Sequence, residues 1–281
     1  MVTIDRKLGG LLPYKVVFFP TDAALAERPK PAHMVRLFWT ATELGDSARV
    51  VRHHRSATIC IDLTDNPDTL LKRISKHTRH QIRQAEKLGD RMSVERNGNQ
   101  RTAEFLALYN DLARSKPGLL KINERALTRY QGHADTFMAY LDGKPVCGHV
   151  LLRDAEIGRA RLLYSASRRF DDRETARLSG EVNRFLHWHE ICAYKEEGFV
   201  TYDLGGIEED PSNGIAQFKI SFGGKLIKEH TYLCAGSALP GRTVQMFFEN
   251  LSARGRRWRP LTVASSGNLQ GAEAPRTSGL T

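Results

Sequence analysis

Three features of the 281-residue sequence predict a mixed α+β fold. Apolar residues recur at helical spacing from about residue 67 to 131, switch to a period of two between 136 and 165, and return to helical spacing before two further strands. Hydrophobic residues make up 41% of the chain and charged ones 26%, which excludes collagenous, coiled-coil and wholly disordered classes. Lys and Arg exceed Asp and Glu by 42 − 32 = 10, which points to anionic partners: nucleic acid, phosphorylated sugars, nucleotides or an anionic lipid surface. The cysteines Cys60, Cys147, Cys192 and Cys234 form no C-x-x-C pair, so reduced thiols in the cytoplasm are expected, and no metal site. No apolar run reaches the roughly 18 residues of a membrane span, although peripheral contact with an anionic membrane stays open.

Residues 1 to about 65 read as short strands punctuated by Pro20, Pro29 and Pro31: Lys15 to Phe19, Val35 to Thr40, and Ala57 to Leu63. One helix is predicted from Asn66, with Pro67 near its first position, to Leu88, where Gly89 stops it. Leu71, Ile74, Thr78, Ile82 and Ala85 share its apolar side, and Lys72, Lys76, Arg79, Arg83 and Lys87 form a cationic ridge opposite. Helices follow at Thr102 to Ser115 and Asn123 to about Gln131. Strands at Thr136 to Leu141, Pro145 to Arg153 and Arg159 to Ser165 then make an antiparallel meander, its first turn at Asp142-Gly143. A helix from Glu174 to Glu196, a strand from Phe199 to Leu204, a Gly-rich bend and a strand from Leu226 to Cys234 complete the order. From Arg254 the composition predicts a flexible basic extension carrying Arg256, Arg257 and Arg259. The expected organisation is an abbreviated N-terminal α/β unit at 1–100, an acyltransferase-like domain at 101–250 and a tail at 251–281.

Chemistry concentrates where Tyr202-Asp203-Leu204-Gly205-Gly206-Ile207 precedes Gly214-Ile215-Ala216-Gln217-Phe218-Lys219-Ile220-Ser221-Phe222-Gly223-Gly224. The glycines clustered here mark a sharp turn or a close approach to ligand. This pairing resembles the C-terminal signature of the Fem family of non-ribosomal aminoacyltransferases and, more broadly, FemAB-related acyltransferases of the GNAT fold. Ile61 to Thr64, Arg79 to Lys87 and Leu163 to Ser167 extend the resemblance over about Ala57 to Leu233, and the order of elements is that of the GNAT fold, a mixed sheet split around an acyl-donor channel. The N-terminal half unit is shorter than in Fem enzymes, which carry two complete units.

The resemblance implies that Lys219 stabilises charge developing on the carbonyl oxygen during acyl transfer, with Phe218 beside it. A fixed ammonium in a water-poor cleft is chemically suited to an oxyanion. Asp203 either orients that lysine, receives the amine's proton, or closes a turn as its salt-bridge partner. Gly205 and Gly206 are expected at the substrate. Tyr164 and Ser165, at a strand end, either position the substrate carbonyl or pack. Arg79 and Arg83 are expected to contact acceptor or tRNA phosphate, or to form a solvated helix face. The stretch from Ser167 to Glu174 has none of the glycines by which acyl-CoA enzymes cradle pyrophosphate, leaving side chains such as Arg168 for a phosphate. His187-Trp188-His189-Glu190 predicts no metal cluster, because helical residues two apart diverge.

The resulting expectation is an N-acyltransferase without metal or redox cofactor. It moves an aminoacyl group from aminoacyl-tRNA to an amine of a phosphorylated or cell-envelope-related acceptor such as a peptidoglycan precursor. The alternatives are an acyl-CoA-dependent enzyme of polysaccharide, lipid or metabolite biosynthesis, and a non-catalytic RNA-binding or scaffold protein.

Overall fold

The structure, a computed structural model, describes residues 1–8, 11–26, 30–44, 49–97, 99–130, 132–168, 173–207 and 214–239. The expected basic extension lies outside these residues. In chain order the strands are β1 (Val2–Leu8), β2 (Leu12–Phe18), β3 (Met34–Thr40), β4 (Val50–Asp62), β5 (Met92–Arg96), β6 (Ala134–Leu141), β7 (Lys144–Asp154), β8 (Arg159–Ser167), β9 (Thr201–Ile207) and β10 (Lys225–Ala235). The helices are α1 (Asp22–Ala26), α2 (Pro67–Arg73), α3 (Lys76–Glu86), α4 (Asn99–Ser115), α5 (Glu124–Thr128), α6 (Arg173–Glu196) and α7 (Gly214–Ile220).

All ten strands form one sheet in the order β1-β2-β3-β10-β4-β9-β8-β7-β6-β5, so the sheet runs across the boundary expected at residue 100. The strand β10 sits between β3 and β4 and pairs antiparallel with both. The two faces of the sheet bury separate apolar clusters. Phe18, Phe38 and Trp39 pack with Phe105, Tyr109, Tyr130 and Tyr164 on one side, which brings the N-terminal strands against α4 and α5. Ile59, Ile82, Leu162, Leu186, Tyr202 and Phe222 pack on the other, under α3, α6 and α7.

The meander and the long helix stand where the sequence places them. The single helix expected over 66–88 does not. Ile74 is extended at φ −64°, ψ 140°, and the chain restarts as α3. The cause is local: Ser75 Oγ accepts from Thr78 N at 3.2 Å, a cap that a serine makes more readily than it continues a helix. Ser75 N also donates to Ser221 O at 2.8 Å, tying the break to the end of α7. Gly223 follows at φ +77°, where an added Cβ would meet Arg73 O at 2.6 Å; only glycine allows this approach. The strands β1 and β5 and the helices α1 and α7 were not expected, being short elements with little periodicity.

Candidate active site

The sheet opens between β8 and β9. These parallel strands pair only at Arg159↔Thr201, Ala160↔Tyr202 and Arg161↔Asp203, after which β8 continues to Ser167 and β9 to Ile207 without pairing to each other. Both strands are irregular at the parting. Opposite β7 the register steps from Tyr164↔Val150 to Leu162↔Leu151, leaving Leu163 as a bulge. Opposite β4 it steps from Cys60↔Asp203 to Thr58↔Gly206, and Gly205 there takes φ +78°. Bulges bend and re-aim a strand, and here they turn two neighbours away from each other.

Lys219, on α7, reaches the parting of the strands. It is 1% exposed, and its Nζ donates to Gly205 O at 3.1 Å and Gly206 O at 2.7 Å. An ammonium carries three N–H groups, so one remains beyond these two carbonyls. Burial, followed by the Arg161 charge, lowers this amine to about 7, against a smaller opposing effect of Asp203. The glycines expected at the substrate thus hold the lysine through their carbonyls.

Asp203 has a different place from the one expected. Its Oδ1 accepts from Gly205 N at 2.8 Å and from the Thr58 hydroxyl, and its Oδ2 accepts from Arg161 Nη1 at 2.8 Å and from Arg159. No hydrogen bond joins it to Lys219, because two guanidiniums already occupy the carboxylate. Burial opposes its ionisation, yet Arg161 and Arg159 keep it well below the usual carboxylate range, which removes it as acceptor of the amine's proton. Glu229 of β10 bonds the same guanidiniums, at 2.7 Å to Arg159 and 2.8 Å to Arg161. Burial raises its pKa. Arg161 stacks over Trp39 at 3.9 Å and Arg159 over Phe19 at 4.5 Å.

The remaining expected residues divide. Phe218 is half-buried beside Phe222 at 5.3 Å, with the Arg184 guanidinium 4.8 Å from its ring centre. Tyr164 packs edge-on to Tyr109 at 5.7 Å and hydrogen-bonds Tyr130. Ser165 is buried in register with His149, toward α6. Arg79 does not project from a ridge: its Nη1 donates to Lys72 O at 2.7 Å and Ile74 O at 2.6 Å, filling the carbonyls exposed where α2 ends. Arg83 is exposed, as are Lys76 and Lys87. Arg168 is exposed, whereas residues 169–172 lie outside the described ones.

Sequence reading missed a second buried network beside Phe218. His149 Nδ1 meets Glu190 Oε1 at 2.8 Å and His149 Nε2 meets Asn183 Oδ1 at 3.0 Å. The Tyr202 hydroxyl donates to Glu190 and meets His187 Nδ1 at 2.8 Å. His187 and His189 diverge as expected, since His189 turns to Phe137 and Phe185, but His187 and Glu190, three apart, do converge. These donor atoms are spent on one another. Burial, then His149, lowers His187 to about 4; burial opposes the ionisation of Glu190, but His149 holds it at about 2. Arg159 and Arg161, two apart on a mostly apolar strand, were the legible sign of the first network; the residues of the second come from three elements, β7, α6 and β9, and left none.

The acetyltransferase (GNAT) domain family matches residues 72–219. The solved structure of FemX has a TM-score of 0.61 at 14% identity, covering 87% of this chain and 85% of its own. L-PGS from Bacillus licheniformis gives 0.52 at 13% identity, with coverage of 88% and 84%. The C-terminal domain (DUF2156) assigned to lysylphosphatidylglycerol synthetase from Agrobacterium fabrum gives 0.51 at 10% identity, with coverage of 85% and 82%. No curated protein sequence matches the chain. At these identities the structural likenesses establish a shared fold.

Proposed function

Because the chain belongs to the acetyltransferase (GNAT) domain family and shares the fold of FemX, we propose that it is a FemAB-related acyltransferase that transfers an aminoacyl group from aminoacyl-tRNA to an amine of a phosphorylated or cell-envelope-related acceptor in the cytoplasm. One observation carries this reading: the Lys219 amine, buried where β8 and β9 part and held by two carbonyls with one N–H to spare. The acceptor amine attacks the donor ester carbonyl, forming the C–N bond and an oxyanion. Lys219 in its ammonium form donates to that oxygen. The intermediate then collapses with cleavage of the ester C–O bond, and the amine's proton passes through water to the departing hydroxyl. The name lysylphosphatidylglycerol synthetase, together with the resemblance to the Fem family, favours an envelope acceptor. Arg83 and Arg168, both exposed, are the proposed phosphate contacts.

The family match favours acyl-CoA as the alternative donor. Incubation with charged tRNA pools and with acyl-CoA pools, followed by mass analysis of the product, separates the two. Consumption of aminoacyl-tRNA alone is the expected outcome, and consumption of acyl-CoA alone overturns the donor assignment. Lys219→Ala should lower kcat by about 100-fold or more with the fold retained. Undiminished turnover would remove the lysine from the chemistry.

A further inference from the structure

A second candidate site lies apart from the split. Three cross-strand rows define the face of the N-terminal strands turned away from Phe18 and Phe38. Thr3, Val17 and Leu37 make one row, Asp5, Lys15, Val35 and Cys234 the next, and Lys7 with Pro13 the third. Over this face, with α1 beside it, is a cavity of about 810 Å³, within the range of small-molecule sites. Its floor is apolar: Val17, Leu37 and Cys234 are buried, with Leu25, Val35 and Leu44 against them. Its charge is one-sided. Among the described residues, Lys7, Lys15, Lys30 and Arg49 line it against a single carboxylate, Asp5. Arg49 is fixed at the rim, donating to Gly236 O at 3.0 Å and Ser237 O at 2.9 Å. His33 also lines the cavity, and its Nδ1 is buried with no hydrogen-bond partner. A buried polar atom without a partner signals an absent one.

We propose that this cavity binds a single-chain anionic amphiphile, its hydrocarbon on the floor of Val17, Val35 and Leu37 and its anionic head among Lys15, Lys30 and Arg49. A chain lying on that floor removes apolar surface from water, and the head meets a positive field with one opposing carboxylate among the described residues. Neither part alone accounts for both halves of the cavity. The floor strand β3 is separated from β9 by β10 and β4, three strand spacings or about 14 Å, so the ligand occupies an accessory site and its head does not reach the split. The inference rests on the cavity and is independent of which donor the enzyme uses.

Calorimetric titration of the full chain with dodecyl phosphate below its micellar concentration tests it, with inorganic phosphate and dodecyl maltoside as controls. One saturable site for dodecyl phosphate is expected, with each control at least tenfold weaker. The variant Lys15→Gln/Lys30→Gln should weaken binding about tenfold, and Val35→Phe, which fills the floor, should do the same while melting as wild type. Three results would each overturn the site: absence of saturable binding, equal binding of inorganic phosphate or dodecyl maltoside, and unchanged binding in a folded Lys15→Gln/Lys30→Gln protein.

Discussion

Lys219 is a cation that its surroundings work to neutralise. Leaving water disfavours the ammonium, and the Arg161 guanidinium repels it, which together bring its pKa to about 7 from an ordinary value of 10.5. Specific ¹³C labelling of lysine followed by NMR titration should show one ε-carbon with a midpoint near 7 and no such resonance in Lys219→Met; a midpoint near 10 would contradict the geometry. The sign for stability follows from linkage. An amine with a depressed folded-state pKa destabilises the fold below about pH 7, and the cost fades as pH rises toward 10.5. Lys219→Met should therefore raise stability by about 1–3 kcal/mol at pH 6, measured by urea unfolding, the gain being limited by two carbonyls left unpaired. The sequence told which residue to watch, because phenylalanine and lysine after a glycine cluster carried a resemblance. It did not tell what held the lysine, since a carbonyl partner has no side-chain signature.

The helical pair α2 and α3 shows what periodicity can and cannot convey. One apolar face continues through Leu71, Ile74, Thr78, Ile82 and Ala85, which is why a single helix was expected; the interruption is written in one residue, Ser75, whose hydroxyl caps α3. The break then redirects Arg79. Truncating it should expose carbonyls at the end of α2, so Arg79→Ala is expected to cost about 1–2 kcal/mol in urea unfolding. Arg83→Ala, changing an exposed cation, should fall within about 0.5 kcal/mol of wild type. Equal effects of the two would contradict the assignment of Arg79 as a staple. The meander was legible because its alternation and its Asp142-Gly143 turn agree. The short strand β5 and helix α7 were not, because their places are fixed by neighbours.

Across the molecule, buried titrating groups make the fold sensitive to acid. His187 has a folded-state pKa of about 4 against 6.5 for the free side chain, so the unfolded chain binds its proton first. Stability should fall between pH 6.5 and 4 by about 3 kcal/mol from this group, and His187→Asn should flatten that part of the profile in urea titrations. An unchanged slope would show that His187 is not held neutral. The long-range pairing that brings β10 between β3 and β4 was the least legible feature of all, because nothing within residues 225–235 names partners some 165 to 200 positions earlier. A ribosome delivers β3 and β4 long before β10, so until then the two edges that β10 joins stand bare, and Arg159 and Arg161 have Asp203 but not Glu229 as a partner. Chains stopped short of that strand therefore lack one of the two carboxylates that balance this buried pair of guanidiniums.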